Sequence, residues 1–206
     1  MRYVRSGGGL NCGCVRVDKP EVTELEFVEL VARAQAGDAA AFTDLFTATQ
    51  PVLLRYLRVR APQDADDIAA ETWLSIVTGL TGFHGDEQGF RSWVFTIARH
   101  RLVDLRRWDG RRPATPVAEI ADGQQDPAPD AADGALEQMG TAWALELIAS
   151  LPDEQAEAVT LRVIAGLDAA RVGQIMGRSA GSVRVLTHRG LKALAGKIPA
   201  WDPSEL

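Results

Sequence analysis

The stretch from residue 166 to residue 194 reads GLDAARVGQIMGRSAGSVRVLTHRGLKAL, and it contains two short helical patterns separated by a tight turn. Asp168 and Ser179 are residue types that commonly cap helix N-termini. Gly177 stands where the end of a helix favours a left-handed residue, a conformation that glycine adopts without steric penalty. The sequence therefore predicts a helix, a turn and a second helix over this segment.

The apolar residues of both helices recur at helical spacing and predict one packing face on each helix. They are Val172, Ile175 and Met176 in the first helix, and Val183, Leu186, Leu191 and Leu194 in the second. The other face of the second helix carries polar and basic residues. This is the layout of a helix-turn-helix, whose second helix enters the major groove of DNA. An ordinary basic helical hairpin would give the same pattern, and that alternative stays open.

A second cationic segment, FRSWVFTIARHRLVDLRRWDGRR, spans residues 90–112 and separates into two faces when it is placed on a helix. The face expected in the core contains Phe90, Val94, Ile97, Ala98, Leu102 and Leu105. The opposite face contains Ser92, Thr96, Arg99, His100, Arg106 and Arg107, with Trp93 at its border. Arg101 falls on the apolar side one turn from Asp104, which predicts an ion pair within the helix.

This cationic face has the chemistry that binds a separated nucleic-acid strand. Guanidinium groups pair with phosphates, and an exposed base can stack on an indole. A solvated arginine face with Trp93 in the core explains the same residues equally well, because basic helix faces are common.

Charge is unevenly distributed along the chain of 206 residues, whose net formal charge is −6. Residues 91–112 carry a net +5, residues 113–161 contain ten acidic residues and no Lys or Arg, and residues 171–197 contain six Lys or Arg and no acid. Two basic segments on either side of an acidic one predict two polyanion-binding units. The segment that joins them should stay away from the polyanion.

Helical patterns and their breaks divide the chain into five parts. We expect a flexible leader over residues 1–20, a first domain over 21–109, a linker over 110–135, a second domain over 136–198 and a tail over 199–206. The predicted linker is rich in Pro, Asp and Ala and has no sustained apolar period. No β-strand alternation persists. The predicted fold is all-α, with two small helical domains joined by an acidic flexible linker and a helix-turn-helix in the C-terminal domain.

Several classes of protein fit the sequence poorly. It contains no run of 18 or more apolar residues, and its N-terminus lacks the apolar core of a signal peptide, so we expect a cytoplasmic protein without membrane insertion. Cys12 and Cys14 are too few for a disulfide framework, and C-x-C alone is a poor zinc site. We expect them to be exposed thiols, and we expect no metal and no cofactor.

Three segments of the chain, taken together and in order, resemble extracytoplasmic-function (ECF) sigma factors of bacterial RNA polymerase. DADDIAAETWLSIV (64–77) is similar to the family's polymerase-binding segment, and FHGDEQGFRSWVFTIARHRLVDLRR (83–107) to its −10 element segment. SLPDEQAEAVTLRVIAGLDAARVGQIMGRSAGSVRVLTHRGLKAL (150–194) is similar to its −35 reader. Two positions depart from the family's usual pattern: Ala70 stands where relatives commonly carry Gln, and Arg178 where they carry an aliphatic residue.

The resemblance implies a function and a set of partners. The chain would bind core RNA polymerase through its β and β′ subunits, recognise the −35 and −10 promoter elements and promote DNA melting for a specific regulon. The expected partners are therefore core polymerase and promoter DNA in duplex and single-stranded form, with an anti-sigma factor as a further candidate. The first domain would be sigma region 2, and the second would be sigma region 4.

The resemblance also implies three groups of site residues. Polymerase binding falls on Asp64, Asp66, Asp67, Glu71 and Trp73, an acidic surface bordered by an indole. Contact with the −10 element falls on Phe83, His84, Asp86, Trp93, Arg99, His100, Arg106 and Arg107, with Phe83 to Asp86 in the loop where relatives hold a flipped-out base. Contact with the −35 element falls on Ser179, Ser182, Arg184, Val185, His188, Arg189 and Lys192.

Two other classes of function remain as alternatives. A stand-alone helix-turn-helix repressor would explain residues 140–196 but leaves the basic helix and the DADD segment without a role. A metal-dependent enzyme would need Asp64, Asp66, Asp67 and Glu71 as ligands. No His or Cys lies near these acids, Asp64 and Asp66 point in different directions on a helix, and no phosphate-binding Gly loop or nucleophile with a base is present, so we expect no enzymatic activity.

Overall fold

The computed structural model describes residues 24–109 and 131–197. Eight α-helices occupy these ranges, and no β-strand is found within them. The helices are α1 (Glu24–Gln35), α2 (Ala39–Arg60), α3 (Ala65–Gly79), α4 (Glu87–Asp109), α5 (Ala131–Ala149), α6 (Asp153–Val159), α7 (Ala169–Met176) and α8 (Ala180–Ala195). A 3-10 turn (Leu80–Gly82) follows α3, and a π turn (Thr160–Ile164) follows α6. The all-α prediction is confirmed.

Side-chain caps define where several helices begin, as the sequence predicts. The Asp168 carboxylate accepts hydrogen bonds from the backbone N–H groups of Ala170 and Arg171, which begins α7. These bonds lower the pKa of Asp168 below its usual value. Ser179 accepts a hydrogen bond from the N–H of Ser182 and begins α8. Between the two helices, Gly177 adopts a left-handed conformation with φ of 66°.

Helices α1 to α4 form the N-terminal unit, whose core is built around α2 and α4. Tyr56 and Phe95 are fully buried and meet edge to face at 5.4 Å. Four of the six residues predicted to form the core face of α4 are buried, and Ile97 and Leu105 are partly buried and pack against the same core. The buried four are Phe90, Val94, Ala98 and Leu102.

Helices α5 to α8 form the C-terminal unit, in which α6 packs against α8. Val172, Ile175 and Met176 are buried, as predicted. The prediction for α8 is wrong at Leu191, which is 43% exposed. Gly190 is buried in its place, because α8 approaches α6 too closely there to leave room for a side chain.

The two units share one hydrophobic core. Leu161 and Ala165, at the π turn, are fully buried and belong to the same cluster as Leu53 and Phe95 of the N-terminal unit. The π turn packs against α2, and α7 packs against α4. The surface of α4 that faces the C-terminal unit is therefore covered.

Some sequence predictions concern residues at the edges of the described ranges or beyond them. Helical structure resumes at Ala131, a few residues before the predicted start at about residue 136. The leader with Cys12 and Cys14, most of the predicted linker and the tail lie outside the described residues. Within the described ranges, no helix combines the length and apolar character needed to cross a membrane.

The close approach of α8 to α6 predicts a stability effect at Gly190. A Cβ at this position would lie 2.6 Å from Val159 Cγ2 and 3.4 Å from Leu151 Cδ1. We expect Gly190→Ala to lower the free energy of unfolding by about 1–3 kcal/mol through overpacking, measured by urea denaturation.

Gly181→Ala is the matched control for this substitution in the same helix. A Cβ on Gly181 would meet nothing nearer than Ser179 Oγ at 3.8 Å, so we expect no loss of stability there. A Gly190→Ala protein as stable as the wild type would contradict the close approach of the two helices.

Candidate nucleic-acid interface

The second helix of the helix-turn-helix, α8, presents a polar and basic face to solvent. All seven residues predicted to contact the −35 element lie at the start of α8 or on this face, and six of them are exposed in its helical segment: Ser182, Arg184, Val185, His188, Arg189 and Lys192. The seventh, Ser179, is the N-cap, also exposed. Arg184, Arg189 and Lys192 form no ion pair with any residue in the described ranges. The sequence prediction and the geometry place these side chains together on one surface.

The turn before α8 is braced by an ion pair. Arg178, in the turn between α7 and α8, pairs with Glu154 of α6. The two side chains border a shallow groove with Ser182, Val185 and Leu186. The charged residue in the turn therefore ties the helix-turn-helix to α6.

The acidic residues predicted for polymerase binding lie at the start of α3. Asp66, Asp67 and Glu71 are exposed, whereas Asp64 is partly buried. Aspartates in a first helical turn are favoured by the helix dipole, which accounts for part of their placement without any partner. In the described part of the chain, no group of three His, Cys, Asp or Glu residues is arranged to hold a metal ion.

The predicted role of Trp73 as the indole bordering this acidic surface is wrong. Trp73 is only 7% exposed, its Nε1 donates to Gln50 Oε1 at 2.6 Å, and its ring packs on Phe46 at 4.8 Å. The indole is a core residue because α2 and α3 pack against each other at this point.

The predicted ion pair between Arg101 and Asp104 is also absent. Arg101 instead reaches across to α3, where its Nε lies 3.8 Å from Glu71 Oε2 and its Nη2 donates to Ser75 Oγ at 2.9 Å. Asp104 pairs with Arg107 at 3.7 Å. Because α4 packs on α3, Arg101 pairs with Glu71 of α3 and not with Asp104 of its own helix. Sequence spacing does not reveal this contact.

The loop before α4 is held at both ends. The side chain of Gln35 donates to the carbonyl groups of Leu80 and Phe83, each at 2.8 Å. Asp86 caps α4 by accepting from the N–H of Gly89 at 2.6 Å. His84 is exposed between these anchors, as a base-contacting loop requires.

Trp93 lies in an aromatic cluster at the border between core and surface. Its ring stacks on Phe83 at 5.3 Å with an interplanar angle of 19° and meets Phe90 edge to face. The absence of a side chain on Gly79 makes room for it, since a Cβ there would lie 2.9 Å from Trp93 Cζ2. Trp93 is thus partly a core residue and partly a surface residue, so each of its two interpretations describes part of its environment. Phe83 already stacks on one face of the Trp93 ring.

Two of the basic residues on α4 are not free, because they contact acidic residues of α6. Arg99 Nε lies 2.9 Å from Glu157 Oε1, and Arg106 Nη1 lies 2.9 Å from Asp153 Oδ2. His100 is exposed, and Arg107 is paired with Asp104 as described above. The structure therefore splits the predicted −10 face into a covered part and an exposed part.

The contact between α4 and α6 extends to α2 and is centred on the Glu157 side chain, which is 6% exposed. Tyr56 donates its hydroxyl to Glu157 Oε1 at 3.2 Å. Burial, together with the nearby carboxylate, raises the pKa of Tyr56 above its ordinary value, so the hydroxyl stays protonated. Arg60 lies 4.0 Å from Glu157 Oε2 and donates to the Asp153 carbonyl group at 2.8 Å.

Sequence reasoning missed this cluster. Asp153 and Glu157 belong to the acidic segment between the two basic ones, which the charge pattern assigns to a region away from the polyanion. A usable signal was present, because a Glu among the apolar residues of QAEAVTL needs a cation if it is buried. Helical spacing does not show that Arg99 of α4 and Arg60 of α2 are the cations that meet Glu157.

Two parts of the chain match known protein families. Residues 45–112 match the family "Sigma-70 region 2", and residues 141–194 match the family "Sigma-70, region 4". The first range contains α3, the loop and α4, and the second contains α6, α7 and most of α8.

Two relatives in the same family match between 80% and 93% of this chain. The ECF RNA polymerase sigma factor ShbA of Streptomyces griseus is 39% identical over 176 residues, which cover 80% of this chain and 91% of that protein. The ECF RNA polymerase sigma factor SigD of Mycobacterium tuberculosis is 31% identical over 205 residues, which cover 93% and 96%.

A solved structure shares the fold. CnrH, determined in complex with the cytosolic domain of CnrY, superposes with a TM-score of 0.57 at 20% identity, covering 85% of this chain and 99% of that one. Two family matches in the expected order, with relatives above 30% identity along nearly their full length, show that the chain belongs to the ECF sigma factors, which recognise promoters for transcription initiation.

Proposed function

We propose that this sigma factor docks on core RNA polymerase through the acidic start of α3, reads the −35 element with α8 and holds the separated −10 strand with the 83–86 loop and α4. It acts in the cytoplasm as a regulatory subunit without enzymatic activity of its own, and it promotes melting by binding the separated strand. An anti-sigma factor is a further proposed partner, on the strength of the family resemblance.

The observation that carries this proposal is the surface of α8. The helix begins at a capped N-terminus, its exposed side carries Arg184, Arg189 and Lys192, and none of these three forms an ion pair within the described ranges. Unpaired cations on one face of the second helix of a helix-turn-helix are available for phosphates and base edges.

The acidic start of α3 supports polymerase docking in a similar way. The side chains of Asp66, Asp67 and Glu71 are exposed, and within residues 24–109 and 131–197 Glu71 alone of the three has a cationic partner, at 3.8 Å. An exposed ion pair of this length contributes little to stability, so the surface remains available to a basic partner.

Run-off transcription with purified core polymerase on genomic fragments tests the proposal and reports the promoter at the same time. The expected result is a discrete transcript that appears only when both the sigma factor and core polymerase are present. Specific binding to duplex DNA without polymerase, together with no transcript, would favour a stand-alone helix-turn-helix repressor.

Charge reversal at the start of α3 should weaken polymerase binding. We expect Asp67→Lys/Glu71→Lys to reduce affinity for core polymerase by about ten-fold or more, because juxtaposed like charges at an interface cost several kcal/mol. Affinity is measured by competition against the wild-type sigma factor, and circular dichroism shows whether the fold is intact.

Glu29→Lys/Asp44→Lys is the matched control, since both residues are exposed on other parts of the same unit and the charge change is identical. Equal affinities for the two double variants would show that only net charge matters and would refute a docking surface on α3.

The 83–86 loop should contribute to −10 recognition through His84, the exposed residue between the two anchors. We expect His84→Ala to lose about 1–3 kcal/mol of discrimination at one −10 position and none at the −35 element, the usual cost of one lost base contact. Transcription from single-base promoter variants measures this.

Thr81→Ala, at another exposed position before the loop, should leave both preferences unchanged. An unaltered −10 preference in His84→Ala would mean that this histidine reads no base.

The two cations Arg184 and Lys192 should behave differently. Arg184, near the start of α8, is expected to reach a guanine edge, so Arg184→Ala should lose about 1–3 kcal/mol of discrimination at one −35 position. Lys192, two turns further along, is expected to contact phosphate, so Lys192→Ala should weaken all sequences alike and lower the salt slope by about one.

Binding is measured on single-base −35 variants at several salt concentrations. Each variant serves as the control for the other, since both remove one exposed cation from α8. Uniform weakening of every sequence by Arg184→Ala would assign that residue to the DNA backbone alone.

A further inference from the structure

Three arginines of the N-terminal unit converge on two acidic residues of α6. Arg99 and Arg106 project from α4, Arg60 comes from the last turn of α2, and all three reach Asp153 or Glu157. Asp153 Oδ2 lies 2.9 Å from Arg106 Nη1 and 3.5 Å from Arg60 Nη2. Each acid therefore has two guanidinium neighbours on the same surface.

The positive charge of the arginines in this cluster exceeds the negative charge of its carboxylates. Three arginines face two acids, and Arg60, with only 6% of its side chain exposed, keeps an Nε that finds no hydrogen-bond acceptor in the described part of the chain. Guanidinium groups pair with phosphate oxygens by the same forked geometry that they use with carboxylates. The two acids lie about one helical turn apart on α6. The three arginines that pair with them could therefore pair with successive phosphates of a nucleic-acid strand.

We propose that Arg60, Arg99 and Arg106 form one phosphate-binding surface for the separated promoter strand, and that Asp153 and Glu157 occupy this surface in place of the phosphates while the two units are packed together. The inference rests on the proposed function for Arg99 and Arg106. It adds Arg60 as a DNA-contacting residue, and it assigns to α6 the role of an intramolecular competitor.

Other contacts between the units cover the same side of α4. Arg171 of α7 lies 3.3 Å from Asp86 Oδ2, in the loop that precedes α4. Arg91, one turn into α4, donates to the Ala165 carbonyl group at 3.4 Å. From the loop to the last turns of α4, the C-terminal unit therefore contacts the side of α4 that carries Arg91, Arg99 and Arg106.

The two ligands of the arginine surface exclude each other. The Nε of Arg99 can pair with a phosphate only if Glu157 moves away, because Glu157 Oε1 accepts from that atom at 2.9 Å. Apparent affinity for a strand is then lowered by the fraction of molecules in which the units have separated. Removing the charges of Asp153 and Glu157 should raise the fraction of molecules with separated units and leave the arginines unchanged.

The first experiment compares the full-length wild type with Asp153→Asn/Glu157→Gln in binding a fluorescein-labelled single-stranded dT12 oligonucleotide by anisotropy. We expect the double variant to bind about ten-fold more tightly than the wild type. This is the factor expected if the units are separated in about one wild-type molecule in ten and in nearly all molecules of the variant.

Asp44→Asn/Glu146→Gln is the matched control, because it removes the same two charges at exposed positions, and neither residue forms an ion pair in the part of the chain that the structure describes. A gain of equal size in this control would mean that lower net charge alone explains the result, and it would overturn the proposal. Adding Arg60→Lys to the Asp153→Asn/Glu157→Gln variant tests Arg60: we expect part of the gain to be lost, and an undiminished gain would remove Arg60 from the surface.

The second experiment measures separation of the units directly. Nitroxide labels are placed at the exposed positions Thr78→Cys and Ala193→Cys, with Cys12 and Cys14 replaced by Ser, and the distance distribution is recorded by pulsed electron paramagnetic resonance. The oligonucleotide should shift the distribution to longer distances, and the Asp153→Asn/Glu157→Gln variant should show most of that shift without DNA. An unchanged distance distribution in the labelled protein with Asp153 and Glu157 intact, measured with the oligonucleotide bound, would overturn the proposal. This test does not depend on whether the acid variants fold.

Failure of this inference is distinguishable from failure of the proposed function. The double acid variant should still yield the run-off transcript with core polymerase, since none of its changes touches α3, the 83–86 loop or the exposed face of α8. A normal transcript combined with unchanged strand binding would refute the competitor and keep the sigma function. Loss of the transcript in the wild type would refute the function itself.

Discussion

The packing of the two units depends on how a buried carboxylate is accommodated. A charged group removed from water is stable only when paired and hydrogen-bonded, and Glu157 meets this requirement entirely with residues of the other unit. Tyr56 supplies a neutral donor, and Arg99 supplies a charged one. Because these partners come from α2 and α4, the polar contacts of α6 reach α4 and also α2, the helix against which the π turn packs.

Helix α6 is only seven residues long, yet three sets of contacts meet on it. One side touches α8 at Gly190, another carries Asp153 and Glu157 toward the arginines, and Glu154 pairs with Arg178 in the turn before α8. The π turn that follows α6 allows Leu161 and Ala165 to enter the shared core. A displacement of α6 would therefore change contacts with the helix-turn-helix and with the arginine surface at the same time.

Local physical rules account for much of what the sequence predicts correctly. The Asp168 and Ser179 caps, the left-handed Gly177 and the buried faces of α4 and α7 depend on residues within one or two helical turns of each other. Errors arise where a distant partner decides the outcome. Trp73 is buried because α2 covers it, Arg101 turns toward Glu71, and Leu191 yields its expected core position to Gly190.

The candidate site shows the same division between local and distant information. Helical spacing identifies the exposed face of α8 and places Arg99 and Arg106 on one side of α4. It cannot show that α6 lies against them, because the partners are 47 and 58 residues apart in sequence. Nor does charge patterning distinguish acids that lie in a linker from acids that are buried against arginine.

The face of α8 that carries Arg184 and Lys192 is open to solvent while the arginines of α4 are in contact with α6. If the arginine surface is occupied as inferred, a free molecule can sample intact double helices, but it must first rearrange before it can hold an unpaired strand. Searching the genome and committing to an opened promoter would then be successive stages, and single-stranded DNA elsewhere in the cell would compete poorly for the searching form.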